Sequence, residues 1–314
     1  MFRYAANRLG MTLITLLLVA VTVFILIRII PGDAAQLMLG ESANAQQLEI
    51  LRQRWGLDQP WPLQFLYWIG GVLTGDLGVS TRTGQAVLPL ILDRFAVSSV
   101  IVLVAVALAA LIAIPAGIVA AWKQNSATDL TVVSLATLLL SIPSFWLGLL
   151  LLVGFGLKLK WVPVLGYVGF SDDFFKAVSF VILPVATLAL IEAGVLIRMA
   201  RASAIEVLRL EYVTHARAKG LSERQVLLRH VFPNAFAPTL TLIGLMLGNL
   251  LGGIAVLETV FTLPGLGRLL VESIYARDYP VVQGCLLLTA GVFVLVNLIV
   301  DLLYPIFDPR VSAV

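Results

Sequence analysis

Six long apolar runs decide what this chain can become. They lie near Leu9–Ile30, Ala96–Trp122, Leu130–Leu157, Ala177–Arg198, Phe236–Leu257 and Val281–Ile306. Each reaches the ~20 residues that a helix needs to cross a bilayer. The simplest account is that the solvent is mostly lipid, so apolar residues can face outward as well as inward. Composition agrees. Hydrophobic residues make up 60% and charged residues 12%, against roughly 45–50% and 25% in soluble domains. Mean hydropathy is +1.00. The expected fold is an all-α membrane protein with six transmembrane helices.

The first run follows Arg3 and Arg8. A cleaved signal peptide would have an apolar core of about 7–15 residues. This one is longer and ends in "RIIPGD", so it reads as an uncleaved first span over residues 1–30. Pro115, Pro143 and Pro184 fall inside or near span ends, where neighbouring helices can satisfy the freed carbonyls. The single cysteine, Cys285, sits in an apolar run and reads as a small hydrophobe. No His/Cys cluster has metal-ligand spacing. A net charge of +3 is too small to argue for nucleic acid. The basic residues read instead as topology signals.

Six spans put both ends of the chain on one side. With the N-terminus inside, Lys123, Arg198, Arg201, Arg209, Arg217, Lys219, Arg224 and Arg229 are also inside. Raw counts of basic residues nearly tie between the two sides. The outside segments are longer in total, however, and the first exceeds the ~60-residue length over which the rule counts well. Basic density therefore favours an inside N-terminus. Acidic residues such as Asp76, Asp172, Asp173, Glu258 and Asp278 then lie outside.

That orientation puts one polar block, "EYVTHARAKGLSERQVLLRHVFPNA" from Glu211 to Ala235, in the largest inside loop, 199–235. It holds both histidines. Ile205, Leu208, Tyr212 and Ala216 are at helical spacing and predict a first helix. Lys219 followed by Gly220 is the usual order at a helix end. Ser222 can cap a second helix, with Gln225 completing a capping box and Leu221 stapling to Val226. Leu227, Leu228, Val231 and Phe232 form its apolar stripe, and Pro233 is expected to end it. A defined corner of this kind suits an anionic lipid surface or a groove on a soluble protein. A solvated linker carrying positive-inside charge needs no such corner.

The block resembles the "EAA" loop of bacterial ABC importer permeases, in the dipeptide/oligopeptide/nickel branch. "RIIPGDAA", "GDLGVS" at Gly75–Ser80, "ETVFTLPGLGRLL" at Glu258–Leu270, "RDYPVVQG" at Arg277–Gly284 and "VDLLYPIFDPR" at Val300–Arg310 are similar to the same branch. The resemblance covers essentially the whole chain. Thr214-His215-Ala216 stands where the general motif has Glu-Ala-Ala, which leaves the role of His215 open. The resemblance implies a type I importer permease with a cytoplasmic two-helix coupling loop. Glu211, Thr214, His215, Ala216, Arg217, Lys219, Gly220 and Ser222 would couple to the ATPase. It also implies a second homologous permease, two cytoplasmic ATPase subunits and an extracytoplasmic binding protein, in the bacterial inner membrane. The chain has no GxxxxGK[ST] phosphate loop. ATP and Mg would be bound by the partner subunits, with no cofactor in this chain and no catalysis by it.

Candidate path residues are polar or kink-making groups inside spans. Ser141, Pro143, Phe145 and Trp146 offer a hydroxyl, a helix break and two aromatics, or simply a kinked packing helix. Glu192 lies well inside its span, where a buried acid costs several kcal/mol unless hydrated or paired. Asn249 sits in a glycine-rich span, where close helix packing is the commoner reason. The outer segment 31–95 is expected to hold short helices over the outer mouth, with Trp55, Trp61, Tyr67 and Trp68 at the interface. Arg277, Asp278 and Tyr279 enter the last span from that side and are candidates for a binding-protein dock or gate.

Three rival readings exist. An intramembrane serine protease needs histidine within the membrane, and both histidines lie in the loop. An ion-coupled secondary transporter would show an internal repeat and several intramembrane ionisable groups. A membrane scaffold would lack partner subunits. The substrate itself is not legible in this chain.

Overall fold

The architecture follows from two long helices that run side by side in the same direction. The computed structural model describes residues 2–29, 46, 49 and 58–307. Trp55 and Arg310 lie outside the described residues. Helix α1 spans Phe2–Ile29, α2 Trp61–Thr74 and α3 Val87–Trp122. Helix α4 spans Ala127–Ser141 and α5 Ser144–Leu151, continuing as a π-helical segment Leu152–Lys158. Helix α6 spans Phe174–Leu208, α7 Glu211–Ala218 and α8 Glu223–Val226. A π-turn, Leu227–Val231, leads into α9, Phe232–Gly253. Helices α10 (Ala255–Val260), α11 (Leu266–Tyr275) and α12 (Tyr279–Phe307) complete the fold.

At one end of the α3–α6 pair, Val97 and Ile101 share a buried cluster with Val181 and Leu183. At the other end, Ala121 shares one with Ala204 and Val207. The two helices are therefore parallel. Gly117 lets them meet: a Cβ there would stand 2.8 Å from the Cβ of Ala200. Parallel neighbours require the intervening chain to return across the layer, and α4 with α5 does so. Five single helices are long and apolar enough to cross a membrane, and the α4–α5 pair makes a sixth crossing bent by 98°. The expected third span, Leu130–Leu157, is thus real but broken. The break falls at Ile142 and Pro143, both in extended backbone, because proline disfavours helix in the residue before it.

Other expected boundaries shift in one direction. Helix α3 starts nine residues before Ala96, since Asp93 is exposed and Arg94 half-buried and neither interrupts the helix. Helix α6 runs ten residues beyond Arg198. Both helices project past the apolar run that revealed them.

Helix α9 lies antiparallel to α12 on a glycine seam. A Cβ on Gly244 would overlap Val300 Cγ2, and one on Gly248 would overlap Phe293 Cδ2. Small residues allow such close approach where lipid provides no hydrophobic drive between helices. Helix α1 packs on α12, and Arg8 pairs with Asp301 at 3.1 Å. The start of α1, the end of α12 and the α7–α8 corner therefore share one end of the bundle. Helix α2 docks at the opposite end, where Arg28 Nε donates to Gln64 Oε1 (2.9 Å). There Phe24, Phe65 and Trp68 pack their rings together. Trp61 and Tyr67 remain exposed.

Candidate functional site

The corner is built by local chemistry. Helix α6 stops at Leu208, and Leu210 is extended (φ −75°, ψ 142°). The first predicted helix is therefore two helices. The stop resets the helical phase, so Val213 and Ala216 face inward while Tyr212 is exposed. Tyr212 turns toward the second arm instead, its hydroxyl donating to the His230 carbonyl at 3.4 Å.

Helix α7 ends in a Schellman turn. Gly220 N–H donates to the Arg217 carbonyl (2.9 Å) and Leu221 N–H to the Ala216 carbonyl (3.4 Å). Gly220 has φ +84° and open space where a Cβ would be. The glycine is needed for its backbone angle alone. Ser222 and Gln225 then form the complete capping box of α8. Across the turn, Arg217 Nε and Nη2 donate to the two oxygens of Glu223 at 2.8 and 3.2 Å.

The apolar side of the corner is held from below. Val213, Val226 and Val231 are fully buried with Ala121, Ala204 and Ala235. This cluster joins the corner to the ends of α3 and α6 and the start of α9. The opposite side presents Glu211, Thr214, His215, Arg217, Lys219, Gly220 and Ser222 to solvent, while Ala216 is buried. Pro233 does not end the second arm. The π-turn before it lets Phe232 N–H donate to the Leu227 carbonyl, and the chain continues into α9. A proline in the first turn of a helix lacks only an N–H that has no role there.

A second lock holds α4 to α6 near the corner. Arg201 grips Asp129 with Nε and Nη2 at 2.6 and 2.7 Å. Asp129 also accepts from Asn125 N–H (2.9 Å), fixing the turn between α3 and α4.

At the far end, the structure distributes the expected dock or gate residues unequally. Arg277 is exposed, Tyr279 is buried and Asp278 is 3% exposed. Asp278 accepts from Ser80 Oγ (2.5 Å), Thr81 N–H (3.1 Å) and Thr81 Oγ1 (3.2 Å), tying the loop after α2 to the start of α12. A buried companion is Glu258 on α10. It accepts from Ser98 Oγ on α3 (2.5 Å) and from the Arg268 N–H at the start of α11 (2.8 Å). Ser98 Oγ accepts in turn from Leu266 N–H (2.8 Å). Two side chains thus cap α11, one from distant α3 and one from the preceding α10. Burial pushes the Glu258 carboxyl up, against the hydrogen bonds, which favour its charged form.

The path candidates are spread along the bundle. Ser141 is exposed, with its hydroxyl turned back to the Thr137 carbonyl (2.9 Å). Pro143, Phe145 and Trp146 are exposed at the α4–α5 break, and Asn249 is exposed on α9. Glu192 is half-buried on α6, with no cation in ion-pair range among the described residues. Ser80, Ser98 and Glu223 were not singled out by the sequence. Glu223 alone had a local signal, an acid directly after the capping serine on the far side of a turn from Arg217.

The family described as binding-protein-dependent transport system inner membrane component matches residues 113–313, and its N-terminal region matches residues 1–105. The chain belongs to that family. It is a permease component of an ABC importer, which sets aside the ion-coupled and scaffold readings. It is similar to a Brucella suis biovar 1 protein provisionally named as a peptide transport system permease, 42% identical over 97% of each chain. It is 38% identical to the dipeptide transport system permease of Alkalihalophilus pseudofirmus, covering 99% of this chain and 100% of that one. It is 40% identical to the glutathione transport system permease of Escherichia coli O6:H1, over 99% of each. The fold resembles the inward-facing MetNI methionine ABC transporter, with TM-score 0.53 and 18% identity over 72% of this chain and 96% of that one.

Proposed function

We propose that this chain is one of two related permease subunits of an importer for short peptides, and that its α7–Gly220–α8 corner receives the stroke of a cytoplasmic ATPase. Relatives named for dipeptides and for glutathione support that substrate class. An extracytoplasmic binding protein delivers the solute at the α2–α11 end. ATP and Mg are held by the two ATPase subunits, so this chain does no catalysis. The corner end faces the cytoplasm, with the start of α1 and the end of α12 beside it.

The observation that carries the reading is the construction of the corner. Its apolar residues are sealed onto α3, α6 and α9, while its polar face is exposed. A body seated on that polar face would move three spans together. ATP binding then biases a bundle with two stable arrangements, and hydrolysis resets it. Glu192 faces the hydrated path in at least one of them.

The test is ATP turnover. The chain purified alone should hydrolyse no ATP, and activity should appear on adding the ATPase subunits. A cysteine at Thr214 should crosslink to an ATPase subunit. Turnover by the isolated chain, or no crosslink in an active complex, overturns the assignment.

A further inference from the structure

An apolar groove of about 560 Å³ lies between the end of α3 and the π-turn. That is within the roughly 300–1,000 Å³ of ordinary ligand sites. Pro115, Val119 and Trp122 form one wall, and Leu227, Leu228 and Phe232 form the other. Two backbone irregularities keep it open. Pro115 interrupts the hydrogen-bond ladder of α3, and the π-turn is wider than an α-helical turn. Regular ridges cannot interlock across such a pair. The groove opens sideways, since Val119, Trp122 and Leu228 are 37%, 40% and 56% exposed.

Its charge is confined to one edge. Among the described residues, Arg224 is the only ionisable group lining it. Lys123 Nζ sits 5.6 Å from the centre of the Trp122 ring, beside the same edge. The Glu223 carboxylate, which also meets Trp122 at this edge, is neutralised by Arg217. Trp122 and Lys123 end a membrane-crossing helix, the level at which tryptophan and lysine anchor in a bilayer. Pro115 lies about 10 Å deeper at 1.5 Å per residue. The groove therefore runs from headgroup depth into hydrocarbon, with cations at its shallow end only.

We propose that this groove holds one acyl chain of an anionic phospholipid, with the headgroup phosphate met by Arg224 and Lys123. Basic pockets between spanning helices select anionic headgroups in this way. A neutral lipid would fill the groove but leave the two cations unmatched. A protein helix would need a regular complementary ridge, which the π-turn does not offer. The inference rests on the membrane setting of α3 and α9 and not on the transport reading, so either can fail alone.

The test uses the full chain, purified with its partner subunits and reconstituted in phosphatidylcholine vesicles. Trace phosphatidylglycerol or trace phosphatidylcholine carries a photoreactive diazirine in its acyl chain. The phosphatidylglycerol probe should label residues 114–122 and 227–232 several-fold more than the phosphatidylcholine probe. Exchanging Arg224→Gln and Lys123→Gln together should bring the two probes to parity. Val119→Trp, which fills the groove, should abolish labelling by both. Equal labelling by both probes in the unaltered protein overturns the proposal and needs no variant to fold. A photoreactive residue at Val119 that joins a second permease or an ATPase subunit instead of lipid also overturns it.

Discussion

Arg217 and Glu223 clasp each other across the Gly220 turn, nitrogen to oxygen at 2.8 and 3.2 Å. Their side chains are 37% and 40% exposed, so water competes for both charges. An exposed pair contributes about 0–1 kcal/mol. Arg217→Ala should leave insertion and thermal stability nearly unchanged and lower transport only modestly. A double-mutant cycle with Glu223→Gln, read by thermal unfolding in detergent, should give a coupling below about 1 kcal/mol. A coupling several times larger would mean that the clasp, rather than the buried valines beneath it, holds the corner.

Gly220→Val tests the turn itself. Nothing lies within 4 Å of the added Cβ, so the penalty is purely backbone strain at φ +84°. That strain is about 1–2 kcal/mol, more for a β-branched residue. Expression and insertion should stay near normal while uptake falls sharply. Stimulation of the ATPase by loaded binding protein should also be lost. Gly220→Asn, which tolerates this backbone region, should recover much of the activity. Wild-type uptake in Gly220→Val would reduce the corner to a linker.

Gly265→Ala should be far more damaging to folding. Its Cβ would overlap the Glu258 carboxyl group, which cannot withdraw without giving up Ser98 and the Arg268 N–H. Each buried donor left unmatched costs about 1–3 kcal/mol. Lower yield of folded protein and a lower unfolding temperature are the readouts. A fully stable Gly265→Ala would show that the α10–α11 segment relaxes freely.

Glu258 also predicts a pH dependence. Its carboxyl is raised in the fold by burial. A raised group adds stability that is fully present below its unfolded value, about 4.3, and lost as pH climbs through the folded value. Glu258→Gln removes the titration and keeps an acceptor for the capped donors. The difference in unfolding temperature between variant and parent should therefore shift toward the variant as pH rises from 4 to 8. A difference that stays flat across that range is the contrary result.

Glu192→Cys, in a Cys285→Ser background, checks the path. The cysteine should react with a small water-soluble thiol reagent, and its rate should change between nucleotide-free and ATP-bound complex. Absence of reaction in both states returns Glu192 to packing.

What was legible in the sequence was what short-range chemistry determines. Lys219, Gly220, Ser222 and Gln225 carry their turn and cap within seven residues, and the structure builds both. Apolar runs revealed the spans because the bilayer rewards composition directly. The misreadings share a cause. One extended residue, Leu210, shifted the helical phase and exchanged Tyr212 for Val213 on the buried face. Pro233 marked no end because a π-turn absorbs it, and nothing in a 3.6-residue pattern announces a five-residue one. Asp278 and Glu258 look like exposed loop acids in sequence. Their partners Thr81 and Ser98 lie 197 and 160 residues away, and no local pattern encodes such a distance.

Helix α3 is one continuous element of 36 residues, about 54 Å long at 1.5 Å per residue. A third of the way along it Ser98 meets Glu258, and at its far end Trp122 stands against the corner. The helix is unbroken between those two points, but Pro115 removes one rung of its hydrogen-bond ladder, so it passes axial displacement along while yielding at the proline. An advance of about 1 Å that reached Ser98 would be enough to carry its hydrogen bond to Glu258 out of range. One helix thus touches both ends of the bundle, so a load applied at the corner has a direct covalent route to the buried Ser98–Glu258 contact.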